Sequence, residues 1–234
     1  MHADEIKALF DQQAAHYDTQ WAKTSPIRDC LHLLVDSLFA ALPEDARILS
    51  VGAGTGAELA FLAARHPQWR FTVVEPSGGM VAVCRERAAA EGFLARCSFH
   101  EGHLDTLEAG EAHHAATCFL VSQFLLERDA RVAFFAGIAA RLLPGGILAS
   151  TDLAADIDSD DYEVLLRAWL AMMATAEVTP DAVARMRQAY ANDVGVLSAG
   201  DIAGMIEAAG FAPPLRFFQA GLIHGWRSQA SGTL

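Results

Sequence analysis

One segment restricts the folds open to this chain more than any other: Ile48 to Ser77, ILSVGAGTGAELAFLAARHPQWRFTVVEPS. An apolar run meets Gly52, Gly54 and Gly56, passes into a helix-like stretch, and ends in a second apolar run closed by Glu75. Strand, glycine turn, helix and strand in that order form a crossover between parallel strands. Sheets built from such crossovers are covered on both faces.

The rest of the chain continues the alternation. RILSVGAG (47–54) and RFTVVEP (70–76) read as the first two strands, CSFHEGHL (97–104) as a weaker third, and AATCFLVS (115–122) as a fourth buried on both sides. Pro144-Gly145-Gly146 turns the chain into ILASTDL (147–153), the fifth strand. Helical spacing occupies the intervals, with GGMVAVCRERAAAEG closed by Gly92. Before the first strand, residues 4–17 place Ile6, Leu9, Phe10, Ala14 and Tyr17 on one helical face. Ser25-Pro26 then opens a helix that ends near Pro43. Past the fifth strand the pattern changes to two helices within 160–190, DYEVLLRAWLAMMATA and TPDAVARMRQAYA. Ser198 to Asp201 resembles a capping box for a helix ending at Gly210, and PLRFFQAGLIHGW reads as two strands meeting near Gly221.

With 234 residues, 53% of them hydrophobic, the chain can build one large core. The reading is a single unit over 1–234, with a helical cap at 1–43 and a helical insertion at 156–195. The net charge of −12 and the lack of a basic cluster argue against a nucleic-acid partner. No apolar run reaches the ~20 residues of a membrane span, and MHADEIKALFDQQ is too polar for a signal peptide, so a cytoplasmic protein is expected. The four cysteines are scattered and read as reduced core residues.

Glycines past a strand let a ligand lie against the main chain, and a carboxylate at the end of the next strand can accept from both hydroxyls of a ribose. The pair therefore points to an adenosine-containing cofactor. A dinucleotide is one candidate, although Ala57 stands where GxGxxG has its third glycine. His100 with His103, and His113 with His114, invite a metal reading. HEGH is one residue short of HExxH, and no cysteine or carboxylate cluster completes a site, so no metal is expected.

LSVGAGTGAELA followed by VVEPSGGMVAVCRER resembles the first two motifs of class I S-adenosylmethionine-dependent methyltransferases. EGHLDTL (101–107) and RLLPGGILASTDL (141–153) are similar to the third and fourth, so the resemblance covers roughly 45–155. It implies a Rossmann-like α/β fold: a seven-stranded, mainly parallel sheet with an antiparallel C-terminal hairpin, helices on both faces and an N-terminal helical lid. It also implies that Gly52, Ala53, Gly54 and Gly56 wrap the methionine part of S-adenosyl-L-methionine. Glu75 would hold the ribose, and Pro76, Met80, His103 and Leu104 would lie by the adenine. Phe119 and Leu120 would pack beneath the cofactor, and Tyr17, in AAHYD (14–18), would belong to the lid.

SQFLLERDAR (122–131), the two-helix insertion and FFQAGLIHGW (217–226) look like the branch that includes carboxy-S-adenosylmethionine synthase, with Arg187 near the place of its carboxylate-binding arginine. The expected activity is methyl transfer to a small-molecule acceptor by a monomer or homodimer. Tyr17, Gln123, Arg187 and His224 are the candidates for acceptor contacts or catalysis. A carboxylated cofactor, a dinucleotide-dependent oxidoreductase and a non-catalytic cofactor sensor stand as alternatives.

Overall fold

The computed structural model describes residues 3–173 and 179–232. The chain begins with helix α1 (Ala3–Gln13), a short turn α2 (Tyr17–Gln20) and α3 (Ser25–Leu38). Then follow β1 (Arg47–Val51), α4 (Ala57–Arg65), β2 (Arg70–Glu75), α5 (Gly78–Ala90), β3 (Cys97–Glu101) and β4 (His113–Phe119). Next come α6 (Arg128–Ala139), β5 (Leu142–Leu153), the helices α7 (Asp160–Met173) and α8 (Pro180–Asp193), and α9 (Ala199–Ala208). A hairpin of β6 (Leu215–Ala220) and β7 (Ile223–Gln229) ends the described chain.

All seven strands share one sheet in the order β3-β2-β1-β4-β5-β7-β6. The first five are parallel, and β7 enters antiparallel between β5 and β6. From β1 the chain winds outward through β2 and β3, then returns to β4 on the other side of β1. Helices on either side of that reversal cover opposite faces. Leu59 of α4 and Cys84 of α5 belong to one buried cluster, and Phe135 of α6 belongs to the other. The helix ends therefore part above β1 and β4, leaving a crevice at the carboxyl ends of the strands.

The expected sheet is present, and several boundaries differ. The first helix stops at Gln13 and tightens into a 3₁₀ turn over Ala14–His16, where a single helix to Tyr17 was expected. The fourth strand ends at Phe119, three residues early, because Leu120 adopts a left-handed backbone with φ 57°. Pro144-Gly145-Gly146 does not precede the fifth strand but lies inside it. The pairing with β4 shifts register between His113 and Ala115, and Gly145 takes φ 76° there. That is the geometry of a bulge, which tolerates proline because the ladder is already interrupted. The expected run of α7 over 174–176 lies outside the described residues.

One face of the sheet buries Phe39, Ile48 and Leu59 completely, and α3 and α7 pack there through Leu31, Val35, Tyr162 and Leu166. The other face carries α6 and α9 on Leu49, Leu148 and Trp226. Each such side chain contributes roughly 1.5–3 kcal/mol by leaving water. A polar knot sits within the second face. Asp152 (0% exposed) accepts from Ser122 Oγ at 2.9 Å and from Arg131 Nη2 at 3.0 Å. Arg131 (1% exposed) also donates to Ser122 Oγ at 2.7 Å and to the Gly195 carbonyl at 2.9 Å. Burial pushes the Asp152 carboxyl up, and the guanidinium opposes it.

Arg131→Met should destabilise the protein by about 3–5 kcal/mol in urea denaturation, because it strands a buried carboxylate. The double variant Arg131→Met/Asp152→Leu should recover most of that loss, since the charge it would strand is gone. A double variant no more stable than the single one would contradict this.

Candidate functional site

The site begins where β1 ends. Gly52, Gly54 and Gly56 take φ 69°, 54° and 74°, which L side chains rarely adopt. A Cβ at Gly52 would lie 2.3 Å from Val121 Cγ2, and one at Gly56 would lie 2.4 Å from Cys84 Sγ. These two glycines let the β4 loop and α5 close onto the turn. Gly54 faces open space, with nothing within 4 Å of its missing side chain. Its backbone amide donates to Glu75 Oε2 at 2.9 Å, and the Ser77 amide donates to Glu75 Oε1 at 2.9 Å.

Glu75 is 6% exposed, so burial raises its pKa while the two amides pull it down. Each oxygen has taken one backbone N–H, and each keeps a lone pair for another donor. A vicinal diol is a ligand that offers two donors at that spacing. The residues thus fit an adenosine ribose. The Glu75 carboxylate and the nearby aromatic rings of Phe10, Tyr17 and Phe124 suit the positive charge of a sulfonium as well.

The N-terminal segment covers this turn. Asp11 accepts from Ser77 Oγ at 2.6 Å, from the Gly79 amide at 3.0 Å and from Lys7 at 2.8 Å. Lys7, then Ser77 and the Gly79 amide, lower its pKa to about 2. Ser77 Oγ in turn accepts from the Met80 amide at 3.1 Å and caps α5, with Met80 buried beneath. Asp18 accepts from Thr55 Oγ1 at 2.8 Å and pairs with Arg87. Between these carboxylates, Tyr17 packs against Phe10 (6.3 Å between ring centroids) and Trp21 (6.0 Å), and Phe10 meets Phe124 edge-on. Burial raises the Tyr17 pKa, with Asp18 and Glu75 adding to the effect. The Trp21 indole N–H is buried without a partner among the described residues.

On the far side of the crevice, Leu120 is the one non-glycine among the described residues with a positive φ. Its amide is held by the Thr151 carbonyl at 2.8 Å. Such conformations cost of order 1–3 kcal/mol and persist where the surroundings impose them. Phe119 and Leu120 pack, half-buried, on the first core face. Gln123 Oε1 accepts from the Leu153 amide at 2.9 Å, and its carbonyl accepts from the Gly195 amide at 2.7 Å. Gln123 thereby ties β4 to β5 and to the segment after α8, and its side-chain NH₂ group remains to donate.

His224, the second residue of β7, lies directly opposite Asp152 in register. It is 6% exposed, and neither ring nitrogen has a partner among the described residues. Burial, and then Arg216, lower its pKa, so the ring is neutral at pH 7. Arg187 stands apart from this group: on α8 it pairs with Glu163 and lies 5.4 Å over the Tyr162 ring, both on α7. His103 is exposed at the start of a 3₁₀ turn, its carbonyl held by the Thr106 amide, while the Leu104 side chain joins the second core face. Pro76 follows Glu75 and is half-buried, and Ala53 is buried in the first core face. Among the described residues there is no cluster of three or more metal-ligating side chains, and no helix is long and apolar enough to cross a membrane.

The structure therefore gathers Tyr17, the glycines, Glu75, Met80, Phe119, Leu120 and Gln123 around one crevice. Asp11, Asp18, Thr55 and Ser77 join them without having been expected. Their partners lie 37–68 positions away in sequence, and short polar residues give no periodic signal.

Comparison with known proteins places the chain beside methyltransferases. Residues 48–146 match the family described as "Methyltransferase domain". The malonyl-[acyl-carrier protein] O-methyltransferase of Geobacter sulfurreducens is 37% identical over 82 residues, covering 35% of this chain and 30% of that one. The erythromycin 3''-O-methyltransferase of Saccharopolyspora erythraea is 32% identical over 114 residues, covering 49% and 37%. The chain thus spans about a third of the length of these relatives. Among solved structures, an O-methyltransferase family protein from Burkholderia thailandensis superposes with a TM-score of 0.67 over 99% of this chain and 62% of its own, at 17% identity. That likeness concerns the fold. Residues 48–146 thus resemble a methyltransferase domain, a likeness that implies S-adenosylmethionine as the cofactor.

The lid bond at Asp11 gives a directional test. Its carboxylate has a depressed pKa when docked, so its hold is complete above the ordinary value of 3.8 and fades as pH falls toward about 2. Amide-exchange protection over 5–13 should therefore collapse in that window. Asp11→Ala should show the collapsed level already at neutral pH. Equal protection in the variant and the wild type would remove Asp11 from this role.

Proposed function

We propose that the protein transfers a methyl group from S-adenosylmethionine to a small molecule, at a hydroxyl oxygen. The observation that carries the reading is the arrangement at Glu75: a buried carboxylate under the glycine turn, with one lone pair free on each oxygen and a carboxylate-latched lid above. When bound, S-adenosylmethionine supplies a methyl group on a cationic sulfur, whose release as a neutral sulfide needs no oxyanion hole.

The work left to this chain is binding, alignment and exclusion of water. Glu75 holds the ribose, and Gly54 leaves the room for the cofactor to lie along the turn. Tyr17, Phe10 and Phe124 present aromatic faces that suit a cation, and the lid keeps the crevice dry. Alignment of bound partners can be worth roughly 7–11 kcal/mol, which makes positioning the main catalytic device. A hydroxyl acceptor also has to lose its proton. His224, neutral and with both nitrogens unclaimed, is the candidate to take it, and the Gln123 NH₂ group is the candidate to orient the acceptor. Two curated relatives are O-methyltransferases by name, in keeping with a hydroxyl. The unit acts as a single domain, and Arg187, spent on Glu163 and Tyr162, does not favour a carboxylated cofactor.

Glu75→Ala should weaken S-adenosylmethionine binding at least tenfold by calorimetry, since two charge-assisted hydrogen bonds are lost. Unchanged affinity would sink the ribose assignment. Hydroxylated small molecules screened with methyl-labelled S-adenosylmethionine should yield an acceptor whose rate falls as His224 protonates below its ordinary pKa of 6.5. His224→Asn should slow that turnover while leaving cofactor affinity unchanged. A variant as fast as the wild type would exclude the histidine as base.

A further inference from the structure

Behind the glycine turn, on the outer surface of α3, α4 and α5, lies a second cleft of about 290 Å³. Ala57, Ala60 and Phe61 of α4 make one wall, His32 and Arg28 of α3 the other, and Arg87 of α5 closes the end. None of its lining residues is among those gathered around the crevice beneath the lid.

Two polar groups line this cleft. His32 is 6% exposed and makes no hydrogen bond among the described residues; its ring stands 5.5 Å from that of Phe61. Burial, reinforced by Arg28, lowers its pKa to about 4, so at neutral pH it offers one N–H donor and one bare nitrogen. Arg87 has a side chain 20% exposed and gives Nη2 to Asp18 of the lid. The rest of its donor fork is left for another acceptor. The remaining charges are on the rim: Arg28 is paired to its neighbour Asp29, and Glu91 is exposed. The cleft thus combines a guanidinium, a neutral imidazole and an apolar wall, with the Arg65 guanidinium 3.9 Å from the centroid of the Phe61 ring.

We propose that this cleft binds a small oxyanion carried on a flat apolar body, with the charged head on Arg87 and His32 and the body against Phe61 and Ala60. Because Arg87 also holds Asp18, the ligand competes with the lid for the same guanidinium. Occupancy therefore loosens the cover over the crevice. The site stands independently of the proposed methyl transfer, since nothing in it uses the cofactor.

The test is a titration of the full chain with benzoate and with phenyl phosphate, followed by NMR at the His32 ring. That signal is assigned by its loss in His32→Asn. Acetate and chloride serve as controls for the head group alone and for ionic strength. The expected result is a saturable shift for at least one aromatic anion, with weaker binding of acetate. The tighter of the two aromatic anions shows whether the head is a carboxylate or a phosphate. Arg87→Gln should weaken binding at least tenfold, as loss of a charge-assisted bond does. Phe61→Ala, which leaves the lid bonds intact, should bring benzoate down to the level of acetate. Saturation should also raise amide exchange over 5–20. A shift that chloride reproduces, or one that survives both substitutions, would overturn the site. Saturable binding with unchanged lid exchange would overturn the competition for Arg87.

Discussion

The functional region depends on one carboxylate serving two backbones. Glu75 ends β2 and receives an amide from the glycine turn after β1 and another from the turn before α5. A single buried side chain thus sets the distance between the two βα turns that flank the crevice. The cost of burying a charge is offset because both oxygens are hydrogen-bonded and because N–H groups near a helix start favour an anion. Any ligand diol that docks there meets a group already aimed and already desolvated. This is the preorganisation that binding under a lid requires.

The lid repeats that logic in a weaker form. Asp11 and Asp18 are partly exposed, and each reaches a hydroxyl together with a cationic side chain; Asp11 also takes a backbone amide. Bonds of this kind are individually modest. A cover held by two such latches can close without locking, which a site that must exchange its cofactor needs. On the opposite side of the crevice the structure is rigid. The Ser122–Arg131–Asp152 knot and the Gln123 bonds fix the end of β4, the end of β5 and the segment at Gly195 to one another. The strained backbone of Leu120 persists at that junction.

Much of this was legible in the sequence, and for physical reasons. The glycine turn and Glu75 are local: a strand's apolar run, three residues without side chains and a carboxylate at a fixed interval identify themselves. The hairpin at Gly221 and the cap at Ser198 were visible in the same way. What stayed hidden is what only the folded chain brings together. Arg131 reads as one more charge on a helix until Asp152, Ser122 and Gly195 surround it. His224 reads as one histidine of nine until the sheet places it opposite Asp152. The bulge at Pro144-Gly145-Gly146 looks like a turn because proline and glycine mark both, and only pairing with β4 separates the two. Arg187 matched a pattern by position, yet its neighbours on α7 claim its charge.

The measurement that bears most directly on the central reading is a calorimetric titration of the purified chain with S-adenosylmethionine, S-adenosylhomocysteine and NAD in parallel. The account predicts saturable one-to-one binding of the first two and none of the third, because all three carry the ribose proposed to dock on Glu75 but only the first two are expected to suit a turn shaped by Gly52, Gly54 and Gly56 without a GxGxxG glycine. Binding of NAD with no response to S-adenosylmethionine would contradict it.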